Sequence, residues 1–324
     1  MPLTLLTAIR LPAVTPLDTE RATGVKARAK HRIAGAMAVF SRFLSLALWP
    51  GLFLLALVVF EAGGAAGYAV PAFYTAYAGL AAILLVLERL RPHERAWLAA
   101  DGQIAADLSH TAFNKIVGQL IATAGAVTAV SVVPVVDAGS WWPSGWPLAA
   151  QVALGLLSAE FGLYWAHRLS HEIPLLWRFH AIHHSSHKLW VVNTGRFHVV
   201  DSLWKSGCAL AVGLALGAPH AVVLQVLVIT TFIGLLTHCN VAMENPLVSW
   251  VFNTPNLHRW HHSRDVQEGN RNYGENLILW DLLFGTRILP NRRPPADIGC
   301  DQPVPAGFLA QLAFPFRRLR ARAA

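Results

Sequence analysis

The chain has 324 residues, 54% of them apolar and 14% charged, with a mean hydropathy of +0.43. That balance excludes an ordinary soluble domain and indicates a membrane-embedded unit with polar ends. A net charge of +8 without an aromatic-interleaved basic stripe or a nucleic-acid-binding motif reads as membrane topology, and no nucleic-acid partner is expected. Cys208, Cys239 and Cys300 form no C-x-x-C pair, which excludes a zinc-finger or disulfide scaffold.

Residues 1–36 are rich in Arg and Lys and lack a cleavage-site pattern, so they read as a cytoplasmic arm. Apolar runs at 37–60 and 68–87 predict two spans of the ~30 Å hydrocarbon core. Residues 88–115 then hold Arg89, Arg91, Arg95 and Lys115, whereas the turns at 61–67 and 137–146 contain no Lys or Arg. By the positive-inside rule the first set faces the cytoplasm. A third span is predicted at 116–136 and a fourth at 147–165, with Trp141, Trp142 and Trp146 as an aromatic belt between them. The apolar stretch 203–237 is broken at Gly217-Ala218-Pro219 into a first arm too short to cross, and predicts a helical hairpin that dips in and returns. The fold class expected is all-α integral membrane: about four transmembrane helices plus a helical hairpin, with a cytoplasmic His-rich helical cap. The expected divisions are the arm at 1–36, a membrane domain at 37–290 and a basic cytoplasmic tail at 291–324. Arg outnumbers Lys 21 to 5 and Ala is abundant, which suggests GC-rich bacterial coding and hence the inner membrane.

Histidine is the outlier, with 15 copies, 12 of them between His167 and His262. Three patterns stand out: His167-Arg-Leu-Ser-His171, His180-Ala-Ile-His183-His184 and His258-Arg-Trp-His261-His262. Residues three and four apart share a helix face, so each pattern presents two or three imidazoles together. Such donors suit iron, zinc, copper or nickel, and eight exceed what one ion coordinates, so two ions are expected. His238, directly after the hairpin, is a further candidate ligand, while His187 and His198 do not continue the spacing. Glu160 and Tyr164 fall on the same face of the fourth helix as His167 and His171; Glu160 is read as a carboxylate that holds an imidazole tautomer. Asp107, His110 and Asn114 share another face, which capping or helix packing explains as well as a site would.

The order of these boxes around the hairpin resembles the fatty acid hydroxylase and sterol desaturase superfamily of membrane di-iron oxygenases. So do Tyr164-Trp165-Ala166-His167-Arg168, His183-His184-Ser185-Ser186, Arg196-Phe197-His198, Asn272-Tyr273-Gly274 and the closing run from Trp280-Asp281 to Thr286. The likeness covers about residues 100–290, and Asn253-Thr254-Pro255 with His171-Glu172 is similar to alkylglycerol monooxygenase-like bacterial members. The resemblance implies iron ligation by His167, His171, His180, His183, His184, His238, His258, His261 and His262, with Glu160, Tyr164 and Asp281 as catalytic candidates. It implies a di-iron centre, O2 as co-substrate, a bilayer lipid as substrate, and hydroxylation or desaturation of a C–H bond. With no nucleotide-binding loop in the chain, a separate ferredoxin, cytochrome or pterin system must bring electrons. A membrane zinc hydrolase and a non-enzymatic metal- or haem-binding protein are the alternatives the residues leave open.

Overall fold

The computed structural model describes residues 16–132 and 141–317. By its contacts the chain divides after Ser45. The first unit contributes the leading part of helix α1, Pro16–Ala65; everything else described below belongs to the second unit. All regular structure among the described residues is helical, with only isolated β-bridges beside it.

After α1 come α2 (Ala69–Leu90), α3 (Ile104–Val132), α4 (Leu148–Glu172), α5 (Pro174–His184), α6 (Val199–Ala215), α7 (His220–His238) and α8 (Pro255–His261). Short helices α9 (Val266–Gly269), α10 (Leu279–Leu283) and α11 (Phe308–Ala313) follow. Among the described residues, four helical stretches are long and apolar enough to cross a membrane: Arg32–Ala65, Ala69–Leu90, Leu148–Glu172 and His220–His238. The chain is therefore an all-helical integral membrane protein. The four differ in one member from the sequence expectation. The predicted third span lies partly outside the described residues, and helix α3 starts twelve residues before it, at Ile104. The returning arm of the hairpin, α7, is itself long enough to cross, because its apolar run continues unbroken to Thr237.

Local sequence explains where the helices stop. Helix α4 ends at Ile173 because Pro174, which has no N–H to give and a fixed φ, starts α5 at its first turn. Pro255 does the same for α8. The hairpin turns at Gly217, whose φ of +79° suits glycine. Helix α4 lies close against α6 at Gly162, where a Cβ would stand 2.1 Å from the Cys208 carbonyl oxygen. The close approach sets the height of α4, and so of the histidines at its end, against the hairpin. The core of the second unit is built on Trp49, Leu80, Leu84, Phe232, Leu236 and their neighbours from α1, α2 and α7. Cys208, Cys239 and Cys300 are free.

Candidate metal centre and cavity

Four helices end at one place. His167 and His171 lie in the last two turns of α4, His180, His183 and His184 in those of α5, His238 is the last residue of α7, and His258 and His261 close α8 with His262 as its cap. Helix C-termini carry partial negative charge from unpaired carbonyls, so their convergence favours a cation.

The nine imidazoles form two groups. His167, His171, His180, His184 and His261 make one, His183, His238, His258 and His262 the other, and within each the candidate ligand atoms lie within 4.8 Å of one another. The partition follows helical geometry. Histidines four apart stay together, as His167/His171, His180/His184 and His258/His262 do, whereas a neighbour about 100° round the helix faces the other group. His183 and His261 are those neighbours, so the second and third boxes each lend one ring across. The groups abut where His184 stacks on His262, with ring centroids 4.4 Å apart.

Backbone and side-chain acceptors decide which nitrogen carries the proton. The Nδ1–H of His167 donates to the Tyr273 carbonyl at 2.7 Å, that of His183 to Arg196 at 3.2 Å and that of His261 to Arg271 at 2.8 Å. His180 Nδ1 donates to the Asp201 carboxylate at 2.9 Å, and His171 Nδ1 to Asn270 Oδ1 at 3.0 Å. A neutral imidazole has one N–H, so each of these rings turns a lone pair inward from Nε2. His167 and His180 thus face each other Nε2 to Nε2 at 3.1 Å with no proton to share, and His171 Nε2 is buried without a partner. Buried lone pairs in mutual contact are costly unless a cation lies among them. An all-nitrogen donor set with its outer partners already fixed fits a transition metal.

Burial, then the neighbouring rings and, for all but His184, the charge of Lys205 hold His180, His183, His184, His258 and His262 well below the ordinary histidine range; His261 falls to about 3, again through burial. In an unfolded chain these rings take up protons below about pH 6.5, which the folded chain refuses until far lower. Across that window the unfolded state binds more protons. Stability of the metal-free fold is therefore complete above about pH 6.5 and declines as pH falls. A chelator-treated sample in detergent should show its thermal midpoint dropping between about pH 7 and pH 5; an unchanged midpoint would contradict neutral burial of these rings.

The three other sequence candidates lie one step away. The structure corrects the role read for Glu160: its oxygens accept from the backbone N–H of Glu275 and Asn276 and from the Asn276 amide, because α4 packs against that loop, while Asp201 and Glu275 reach the rings. Glu275 lies 3.2 Å from His167 Nδ1. Asp281 accepts from the N–H of Tyr273 and Gly274 and from the Thr286 hydroxyl, which also meets the Tyr164 hydroxyl at 3.1 Å. Glu160, Tyr164 and Asp281 thereby brace the loop whose Tyr273 carbonyl orients His167. His187 and His198 belong to neither group; His198 caps α6 and bonds the Leu312 carbonyl. Asp107, His110 and Asn114 pack structure together, Asp107 through a buried 2.7 Å pair with Arg196.

Sequence reasoning missed Asp201, Lys205, Glu275 and Asn270. The first two left a signal: opposite charges four apart at the head of an apolar helix, where an unsatisfied charge is expensive.

Residues 152–286 match the fatty acid hydroxylase family. The ornithine lipid hydroxylase OlsE of Rhizobium tropici is 49% identical over 251 residues, which cover 76% of this chain and 76% of that one. The chain belongs to the fatty acid hydroxylase family. Human alkylglycerol monooxygenase is 32% identical over 152 residues, 47% of this chain and 33% of its own length. The fatty acid hydroxylase vlmA of a Lecanicillium species is 28% identical over 162 residues, 45% of this chain and 43% of its own. No solved structure matches.

In this fatty acid hydroxylase family member a cavity of about 580 Å³ leads up to the second group, ending on His238 and His258. It is lined by α2, α3, α4, α6 and α7, and its walls mix aliphatic side chains with Thr and Ser hydroxyls, Asn114, Asn276 and the charged Lys115, Lys205 and Glu275. Lys205 pairs with Glu275 at 2.6 Å, and its ammonium sits 4.9 Å from the centre of Phe197, which stacks on His183 at 4.2 Å. The wall of the cavity is thus in contact with both imidazole groups.

Proposed function

We propose that the protein is an O2-dependent di-iron hydroxylase of a membrane lipid. The observation that carries this is the His167–His180 contact, two lone pairs pressed to 3.1 Å by outer partners that fix both tautomers. Nine neutral imidazoles in two groups suit two iron ions, held by His167, His171, His180, His184 and His261 on one side and by His183, His238, His258 and His262 on the other. Iron would supply the activation of O2 that oxidation of an unactivated C–H bond needs. The chain's own residues orient the rings, through Asp201, Asn270 and the 271–276 loop, and shape a cavity through which a lipid can reach them from the bilayer.

Family membership and relatives that are themselves hydroxylases or monooxygenases favour lipid oxidation over the zinc-hydrolase and haem-carrier alternatives, and favour hydroxylation over desaturation. The 49% identity extends over three quarters of both chains, so we take an ornithine-containing lipid as the substrate class. The basic loops favour a cytoplasmic face for the histidines, and the Arg- and Ala-rich composition a bacterial inner membrane, where a separate ferredoxin, cytochrome or pterin donor would deliver electrons. In this reading residues 37–290 form the catalytic membrane domain, between a cytoplasmic arm at 1–36 and a basic tail at 291–324.

The test is metal analysis with isotope labelling. Purified protein should hold about two iron ions per chain and, with a chemical or enzymatic reductant and ¹⁸O2, add labelled oxygen to an ornithine lipid. Turnover of a zinc-loaded sample without O2, or product oxygen drawn from water, would overturn the proposal.

A further inference from the structure

A second cavity, of about 170 Å³, lies deeper along the same helices. Leu163 of α4, Ser206 of α6 and Thr230 of α7 line both cavities and form a collar between them. Beyond the collar the walls are small or aliphatic: Ala159 from α4, Ala209 and Gly213 from α6, Val222 and Val226 from α7. Among all the lining residues none is charged, and the Thr230 hydroxyl is turned back onto the Leu227 carbonyl at 3.1 Å.

Helix α7 gives the scale. His238 to Thr230 is eight residues and Thr230 to Val222 eight more, so the collar lies roughly 12 Å from the histidines and the far end roughly 12 Å further. That end is closed. Trp142 packs on Val222 and Val226, with its indole N–H held by Gln151 at 2.8 Å. Nearby, α4 and α7 touch so tightly at Gly155 that a Cβ there would lie 2.8 Å from Val222. The open volume above exists because side chains are missing: a Cβ on Gly213 would meet nothing nearer than Ala218 at 3.9 Å. An apolar hollow of this kind offers water no partners, and left empty it forfeits packing.

We infer that the lower cavity is a binding site for the far end of one hydrocarbon chain of the lipid substrate, entered through the Leu163–Ser206–Thr230 collar and closed so as to limit chain length. The inference rests on the lipid reading above. Alkyl segments are the part of such a substrate that an uncharged wall, aliphatic apart from the two collar hydroxyls, accepts at least desolvation cost. The closed end sets the longest chain that can be seated with its reacting carbon beside His238 and His258.

The test is photolabelling with an ornithine lipid that carries a diazirine at the end of one long acyl chain, incubated with the whole protein in detergent. Three chains are compared: wild type, Gly213→Phe, which fills the lower cavity, and Leu214→Phe, a control at an outward position 64% exposed. Adducts should map to the α4, α6 and α7 residues around and below the collar in wild type and in the control, and fall by at least about tenfold in Gly213→Phe. A probe with a short chain should label the upper cavity equally in all three, which also shows that Gly213→Phe is folded. Adducts confined to the outer, lipid-facing surfaces, or unchanged in Gly213→Phe, would overturn the inference. Labelling needs no turnover, so the two readings fail separately. Adducts in the lower cavity without hydroxylation would sink the oxygenase proposal and uphold this one, and hydroxylation with adducts elsewhere would do the reverse.

Discussion

His183→Ala should lower turnover by well over the roughly 10–100-fold that loss of an outer partner costs a metal site, and reduce bound iron from about two ions per chain to about one. His183 is one of four rings in its group, and its Nε2 lies 3.1 Å from that of His262. Removing it leaves three imidazoles there and none of the five opposite is touched. The Phe197 ring that stacks on it also loses its platform, so the cavity wall loosens at the same point. Helix content by circular dichroism should be unchanged, since the ring's only backbone tie is one bond to the Arg196 carbonyl. Full activity with a full complement of iron would remove this ring from the centre.

Asp201→Ala should lower metal affinity or kcat by roughly 10–100-fold, while Asp201→Asn retains most of both. The carboxylate is buried and accepts from His180 Nδ1, which keeps the proton off the inward Nε2. An amide oxygen accepts the same bond, so the conservative variant preserves the tautomer and the alanine does not. Asp201 is absent from the cavity wall, so KM for the lipid should hold while kcat falls. A purely packing role predicts the opposite pattern, with asparagine and alanine separated in thermal stability but not in kcat or in metal titration. Equal loss in both variants would mean that the negative charge, and not the position of a proton, is what His180 requires.

Most of the fold and all nine clustered histidines were legible in the sequence, for a simple reason. Long apolar runs and short i, i+3, i+4 patterns are local signals that survive any tertiary arrangement. Which ring joins which group was not legible. Box order suggests that His183 and His184 act together, yet their directions differ by about 100°, and only the ring contacts His183–His262 and His184–His261 show that the two boxes exchange a ring. The reading of Glu160 erred for a related cause. It lies on the same face of α4 as His167, but about two turns of height put it at the 275–276 loop and leave the imidazoles to Asp201, which arrives from another helix. The returning hairpin arm was underestimated because Gly217 and Pro219 mark a break, and the uninterrupted apolar length after that break was not weighed separately.

The lending of single rings between boxes has a consequence for biosynthesis. One group needs His261 to complete a set begun at His167, and the other takes three of its four members from His238 onward. The first set is not whole until the ribosome has passed codon 261, nor the second until codon 262, and by then the four stretches long enough to cross a membrane among the described residues have all been translated. Loading of the proposed ions would thereby be a final step, and a polypeptide cut short within α7 would lack a complete cage for either of them.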